Sequence, residues 1–356
     1  MEYITAQNAA KKWNMSLKQL SFYCLEGLVQ GATIINNEWQ IPLDSHKPQS
    51  FPILTDNKIK PFIKWVGGKG QLLEALRNAY PLDLGLKINK YAEPFVGGGA
   101  VLFDILSTYS LQEVYISDVN TALINTYKVI KYEVLELIRQ LKHLEHCFLE
   151  LDAEGRKKDY YNKRENFNNV MSDNIEEINI ERAALFIYLN KTCFNGLYRV
   201  NTRGLFNVPM GNYKNPKICD EKNLIKASIA LYNVHIYNSD YHNVLDFADN
   251  NTFVYFDPPY RPLSTTSTFT SYTQNQFNDK DQIELAAFIN KLSLTGARVL
   301  LSNSDPKNIA ESDNFFDNLY KDKKIDRVKA HRMINCKAES RGQINELLIS
   351  NYCKRS

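Results

Sequence analysis

Val254-Tyr255-Phe256-Asp257-Pro258-Pro259-Tyr260 constrains the fold more than any other stretch of the chain. A short apolar run that ends in turn residues reads as a buried strand. Proline donates no ladder hydrogen bond, so the strand must stop at Pro258. Its carboxyl end then presents one carboxylate, one stiff turn and one aromatic ring. In open α/β sheets ligands bind at that edge. The tetrapeptide is suited to holding a planar amino group by its edge and its face together.

Strand–loop–helix signals surround this run. Tyr91 to Val96 reads as a strand, Gly97-Gly98-Gly99 as a loop, Ala100 to Ser107 as a helix and Glu113 to Ser117 as the next strand, ending at Asp118. The alternation predicts a parallel sheet. A long helical and polar stretch follows, to about residue 235. Strands at Val234–Asn238, Phe253–Phe256, Arg298–Ser302 and Glu346–Ser350, with a helix over Asp281–Leu292, then resume the pattern. The expected organisation is a catalytic α/β domain over 58–130 and 235–356, split by an inserted domain over 131–234. Residues 45–57, with two prolines and several polar residues, read as a linker.

Residues 1–44 read as a separate module. Thr5 can cap a helix through Trp13, Ser16 a second helix over Leu17 to Glu26, and strand-like pieces at Ala32–Ile35 and Trp39–Ile41 flank Asn36-Asn37. Helix, turn, helix and hairpin resemble the small winged helix-turn-helix modules of the MerR and excisionase type. The alternative is a small helical cap.

Glycines after a first strand let a ligand approach the backbone at a helix N-terminus. Asp118, about twenty residues on, can hydrogen-bond a ribose diol. The loop is neither G-x-G-x-x-G nor a P-loop, so an adenosyl ligand without phosphates fits better. Glu93 would repel a pyrophosphate and attract an ammonium group. In Phe62-Ile63-Lys64-Trp65-Val66-Gly67-Gly68-Lys69 an indole, a glycine pair and two lysines suggest a pocket wall with an anion anchor. Asp240, at the end of the strand before the Asp-Pro-Pro-Tyr strand, can accept from an adenine amino group or simply cap a turn.

A net charge of +3 on 356 residues is too small to prove a polyanionic partner, but it hides an asymmetry. Arg182 to Cys219 contains no Asp or Glu and carries Arg182, Lys191, Arg199, Arg203, Lys214 and Lys217. Phe194, Tyr198, Phe206 and Tyr213 interleave with them, as on a nucleic-acid surface. The segment from Asn195-Gly196 through Leu197–Asn201, Arg203-Gly204 and Leu205–Val208 reads as a β-hairpin, and such a ribbon can enter a major groove.

Together Lys64 to Lys69, Glu93 to Gly99, Ser117-Asp118-Val119-Asn120 and Asp257 to Tyr260 resemble Dam-type DNA adenine-N6 methyltransferases with the order cofactor motif, recognition region, catalytic motif. Pro262 to Thr266, Phe269 to Tyr272 and Leu301-Ser302-Asn303 extend the similarity, which covers about residues 58–352. The resemblance implies a Rossmann-like S-adenosylmethionine-dependent sheet with an inserted helical and β-hairpin DNA-recognition domain. It implies S-adenosyl-L-methionine as cofactor, bound by Trp65, Lys69, Asp118 and Asp257, with Asp240 at the adenine and Glu93, Phe95 and Gly97 in the loop. It makes Asp257, Pro258, Pro259 and Tyr260 catalytic. It places Lys64, Phe194, Asn195, Leu197, Arg199, Pro209 and Tyr213 on DNA, with Arg199 reading a guanine and Phe194 inserting near a flipped base. In that family these features go with the site GATC.

Double-stranded DNA is therefore the expected partner, with a cognate restriction endonuclease as a second. Two other readings stay open: the same chemistry on RNA or a glutamine amide, and a helix-turn-helix regulator with a degenerate catalytic domain. No metal is expected, because the six scattered cysteines form no C-x-x-C pair; they point to free thiols in a reducing cytosol. The N-terminus has no signal pattern, and no apolar stretch approaches the roughly 20 residues of a membrane span.

Overall fold

The computed structural model describes the chain except residues 1, 14–16, 18–19, 21–22, 25–28, 36–37, 48–57, 66, 171–177, 262–276, 332–342 and 354–356. It divides into two compact units, Met1–Ile59 and Lys60–Ser356.

In the first unit β1 (Tyr3–Thr5), β3 (Glu38–Pro42) and β2 (Thr33–Ile35) form an antiparallel sheet in the order β1-β3-β2. Ile4 pairs with Ile41, and Thr33 with Gln40. Helix α1 (Ala6–Lys12) starts where the Thr5 hydroxyl accepts from the Asn8 amide, as the Ser/Thr cap rule requires. Its buried face is Ala6, Ala9 and Ala10, next to Trp13 and Ile41. Strand β1 was not expected; three residues are too few for a period-2 signal. Most of the expected second helix and the Asn36-Asn37 turn lie outside the described residues.

The second unit is built on a seven-stranded sheet in the order β6-β5-β4-β7-β8-β10-β9. The strands are β4 (Lys90–Glu93), β5 (Glu113–Asp118), β6 (Val234–Asn238), β7 (Thr252–Phe256), β8 (Arg298–Ser304), β9 (Lys324–His331) and β10 (Gln343–Ser350). Strands β4 to β8 pair in parallel, while β10 runs antiparallel to both β8 and β9. This mixed, mostly parallel sheet fits the Rossmann-like sheet that the sequence resemblance implies. Strand β9 was also missed. Its Lys324, Asp326, Arg327 and Lys329 blur the alternation, as charges on an edge strand do.

The helices are α2 (Leu73–Ala79), α3 (Ala100–Thr108), α4 (Thr121–Tyr132), α5 (Val134–Glu150), α6 (Ala153–Asn169), α7 (Ile180–Thr192), α8 (Glu221–Ala230), α9 (Asp279–Ser293) and α10 (Phe315–Leu319). Strand β7 is buried along its whole length. Val254 and Phe256 pack in one cluster with Leu285, Ile289 and Leu292 of α9 and with Val299 and Leu301 of β8. Phe253 faces the other way, onto Tyr80 and Tyr91, with ring centroids 5.6 and 5.7 Å off. That two-sided burial explains why β7 reads as a continuous apolar run rather than an alternating one.

The chain reverses direction across the sheet between β4 and β7, which are neighbours although β5 and β6 intervene in sequence. Such a switch point opens a crevice at the carboxyl ends of the two strands. Glu93 and Asp257 stand there.

Candidate active site

Asp257 follows the last residue of β7. Its Oδ1 meets the Lys69 ammonium at 2.6 Å and accepts from the Ser302 hydroxyl at 3.1 Å. Ser302 in turn lies 2.8 Å from the Tyr255 hydroxyl, so two neighbouring strands hold the carboxylate. Both contacts fall on Oδ1. Among the described residues no partner reaches Oδ2 or the Pro258 carbonyl. Burial pushes the Asp257 carboxyl above its ordinary value, and the Lys69 ammonium holds it back down.

Lys69 is buried at 4% exposure and also donates to the Gly67 carbonyl at 2.8 Å. Its ammonium sits 4.7 Å from the centroid of the Tyr260 ring. The Tyr260 hydroxyl is hydrogen-bonded to Glu346 on β10. Pro258 is buried and Pro259 exposed. Beyond Tyr260 the chain is fastened by Arg261, which grips both Asp279 oxygens, at 2.7 and 3.0 Å, and reaches Asp313 at 2.7 Å. Residues 262–276, which extend the sequence similarity, lie outside the described residues.

Across the crevice the Gly loop follows β4. Asp118 staples it: one carboxylate oxygen accepts from the Gly97 amide at 3.1 Å, the other from Asn120 at 2.9 Å. Gly97 has φ +46°, and a Cβ there would sit 2.9 Å from the Trp65 indole. Only glycine fits that left-handed, crowded position. The Tyr127 hydroxyl fixes the same residue through its carbonyl at 3.0 Å. Glu93 is 2% exposed and accepts from Tyr91 at 2.7 Å; its carboxyl is pushed well up by burial. Phe95 stacks on Tyr241 at 5.5 Å, which brings the β6 end to the loop. Asp240 caps the short helical turn Tyr241–Asp246 by accepting from the His242 amide at 2.9 Å and is itself exposed.

The acid-free segment forms a hairpin held by the bridges Cys193–Met210 and Val200–Phe206. The Asn201 amide donates to Leu205 at 2.9 Å and the Asn207 amide to Arg199 at 3.1 Å. Arg199 donates to the Asn207 side chain across the hairpin at 2.8 Å. Phe194 is 51% exposed on a turn where Asn195 has φ +55°. Leu197 is half-buried, Pro209 exposed, and Tyr213 lies 5.1 Å from the Lys64 ammonium. Gly196 has φ +65°, and a Cβ there would come within 2.5 Å of the Lys64 side chain.

One expectation needs correction. The aromatic residues are not all surface: Phe206 is buried, and Tyr198 stacks on Trp65 at 5.5 Å. Arg182 and Lys191 are partly buried too, and burial lowers both of their pKa values. Period-2 alternation turns Phe206 and Val208 inward and leaves Asn207 half-buried between them.

Sequence reasoning missed the supports. Asn190 in α7 clasps the Lys64 backbone, accepting from its amide and donating to its carbonyl, both at 2.8 Å, and also donates to Gly196 at 3.0 Å. Tyr160 and Asn168 of α6 bond the carbonyls of Val208 and Phe206, at 2.8 and 3.1 Å. A lone amide in an apolar helix is the available signal for Asn190, since a buried amide needs partners.

A Gly loop stapled by an acidic residue, beside Asp-Pro-Pro-Tyr at the switch point of this sheet, defines the class of α/β methyltransferases acting on amino groups. The family described as D12 class N6 adenine-specific DNA methyltransferase matches residues 65–334, and the chain belongs to it. It is 52% identical over 297 residues to the Type II methyltransferase M.MjaIII of Methanocaldococcus jannaschii, covering 83% of this chain and 100% of that protein. It is 39% identical over 304 residues to the Type II methyltransferase M1.LlaDCHI of Lactococcus lactis subsp. cremoris, with 84% and 99% covered. It is 34% identical over 292 residues to the DNA adenine methylase of Escherichia coli, with 82% and 95% covered. The reaction is methylation of DNA adenine at N6.

Among the described residues no helix is long and apolar enough to cross a membrane, no three candidate ligands gather for a metal, and Cys24, Cys147, Cys193, Cys219 and Cys353 are free thiols.

Proposed function

We propose that this chain takes a methyl group from S-adenosyl-L-methionine and places it on an adenine flipped out of a GATC site in duplex DNA. The observation that carries the catalytic assignment is Asp257: Lys69 and Ser302 fix one of its oxygens and leave the other to accept an N–H.

The residues fit the cofactor. Gly97 and Gly98 let the loop backbone close directly on Trp65, where a Cβ would clash, and so set the indole as a wall beside the loop. Asp118 keeps acceptor capacity for a ribose diol after binding two amides, Asp240 is exposed for an adenine edge, and Glu93, Phe95 and Lys69 line the crevice. When bound, the cofactor supplies an electrophilic methyl carbon.

The chain's own residues supply the rest. An exocyclic adenine nitrogen is a poor nucleophile because its lone pair is delocalised into the ring. Asp257 Oδ2 and the Pro258 carbonyl accept its two N–H groups and draw it toward a lone-pair-bearing geometry. Tyr260 stacks on the base, offsetting part of the unstacking cost by about 1–3 kcal/mol. Positioning and fixed dipoles provide most of the acceleration. Arg199 reads guanine O6 and N7, Phe194 fills space near the vacated stack, and Asn195, Leu197, Pro209, Tyr213 and Lys64 complete the DNA surface. Residues 131–234 serve as the target-recognition region.

The relatives named Type II methyltransferases support a place in a restriction–modification system with a cognate endonuclease. Met1–Ile59, with its three-stranded sheet and capped helix, is a second, winged DNA-binding element. The test is transfer of labelled methyl from S-adenosylmethionine to a duplex with one GATC, against a scrambled duplex. Incorporation into GATC alone is expected. Equal incorporation into both would overturn the GATC assignment.

A further inference from the structure

We propose that Gln282 is a positioning residue for methyl transfer: with Asn303 it sets the peptide plane of the Asp-Pro-Pro-Tyr turn. The inference rests on Asp257 and the Pro258 carbonyl holding the target amino group.

Gln282 lies in the first turns of α9, where its neighbours Asp281 and Ile283 face outward or cap the helix, yet Gln282 itself is 0% exposed. Its Nε2 donates to the Pro259 carbonyl at 3.1 Å. Its Oε1 accepts from Asn303 Nδ2 at 3.3 Å, and Asn303, also 0% exposed, accepts from the Ser304 amide at 2.9 Å. The direction of the chain is fixed at both ends. A proline-preceded carbonyl such as Pro259 O can only accept, and a backbone amide such as Ser304 N can only donate. Each intervening amide therefore has one allowed orientation.

The consequence falls on the reacting atoms. The ring of Pro259 confines the ψ of Pro258 to the extended range, but the ψ of Pro259 itself is free, so ring geometry alone does not orient the Pro259 carbonyl or the Tyr260 that follows it. Anchoring the Pro259 carbonyl from α9 and β8 restrains the one free rotation of the turn, which would swing the Tyr260 ring away from the Pro258 carbonyl and the base between them. Strand β8 thus serves the turn twice, through Ser302 on Asp257 and through Asn303 on Gln282. Neither Gln282 nor Asn303 needs to touch substrate. A misplacement of about 1 Å at a reacting group costs on the order of 100-fold in rate.

The test compares wild type, Gln282→Met, Gln282→Glu and Asp257→Ala as full chains, measuring kcat, KM for DNA, S-adenosylmethionine binding and thermal unfolding. Gln282→Met keeps length and volume but removes the donor. It is expected to lower kcat by about 10- to 100-fold while cofactor affinity and KM stay within about twofold. Gln282→Glu can donate only when protonated, so its kcat relative to wild type is expected to recover as pH falls. Should Gln282→Met not fold, the pH dependence of Gln282→Glu decides. Wild-type kcat in Gln282→Met, or a pH-independent loss in Gln282→Glu, overturns the inference. Full activity in Asp257→Ala would instead overturn the reading beneath it, whatever the Gln282 variants do.

Discussion

Asp257 combines two demands that conflict. In its proposed role it must be buried to hold an amino group away from water, and it must be ionised to accept from it. Burial raises its pKa, and the Lys69 ammonium at 2.6 Å opposes that rise. Protonation removes the acceptor, so activity falls as pH drops through the carboxyl's folded value. Removing Lys69 takes away the lowering influence. In Lys69→Met the acid limb of the kcat–pH profile is expected to move to higher pH; an unmoved limb would mean that Lys69 does not set this ionisation. Arg199 poses the second residue-scale question. Arg199→Ala is expected to relax discrimination at one G·C pair by about 1–3 kcal/mol, measured as kcat/KM on singly substituted sites. A uniform loss over all sequences would make it a phosphate contact. The placement of the acid, the prolines and the tyrosine at a strand end was legible because the signal is local in sequence. Ser302, Gln282 and Asn190 carried no assigned role, because each acts through a partner 45, 23 or 126 positions away.

The elements show how the acid-free hairpin is kept in shape. It has bridges rather than long strands, so its own ladder is weak. Helix α6 compensates from outside: Tyr160 bonds the Val208 carbonyl, and Asn168 both donates to and accepts from Phe206. This helix is polar nearly all round, a pattern that suggests no packing partner, and its anchoring role was invisible to hydrophobic periodicity. Tyr160→Phe leaves the Val208 carbonyl only the long 3.4 Å contact from Arg164 and is expected to cost about 0.5–1.5 kcal/mol of stability by thermal unfolding, with a larger loss in DNA than in cofactor affinity. Equal loss of both would mean that α6 supports the whole unit. The hairpin turn sequence and the strand ends were readable from turn chemistry. The inward side of the hairpin was not, because Phe206 and Tyr198 look like surface aromatics until Phe167 and Trp65 are placed beside them.

At the scale of the whole molecule, the chain divides into Met1–Ile59 and Lys60–Ser356. The family match lies wholly within Lys60–Ser356. The relatives are matched over 95–100% of their length by 82–84% of this chain, which leaves an additional piece of about the size of the first unit. A chain of residues 60–356 is therefore expected to bind cofactor and methylate DNA by itself; complete loss of transfer would make the first unit part of the catalytic machinery. The sheet order could not be read from sequence, since parallel pairing joins β4 to β7 across about 160 residues. The measurement that bears most directly on the central claim is mass-spectrometric analysis of nucleosides from a single-site duplex treated with wild type and with Asp257→Ala, each shown to be folded. The account predicts N6-methyladenine at the site with wild type and none above background with Asp257→Ala. Equal yields from the two would contradict it.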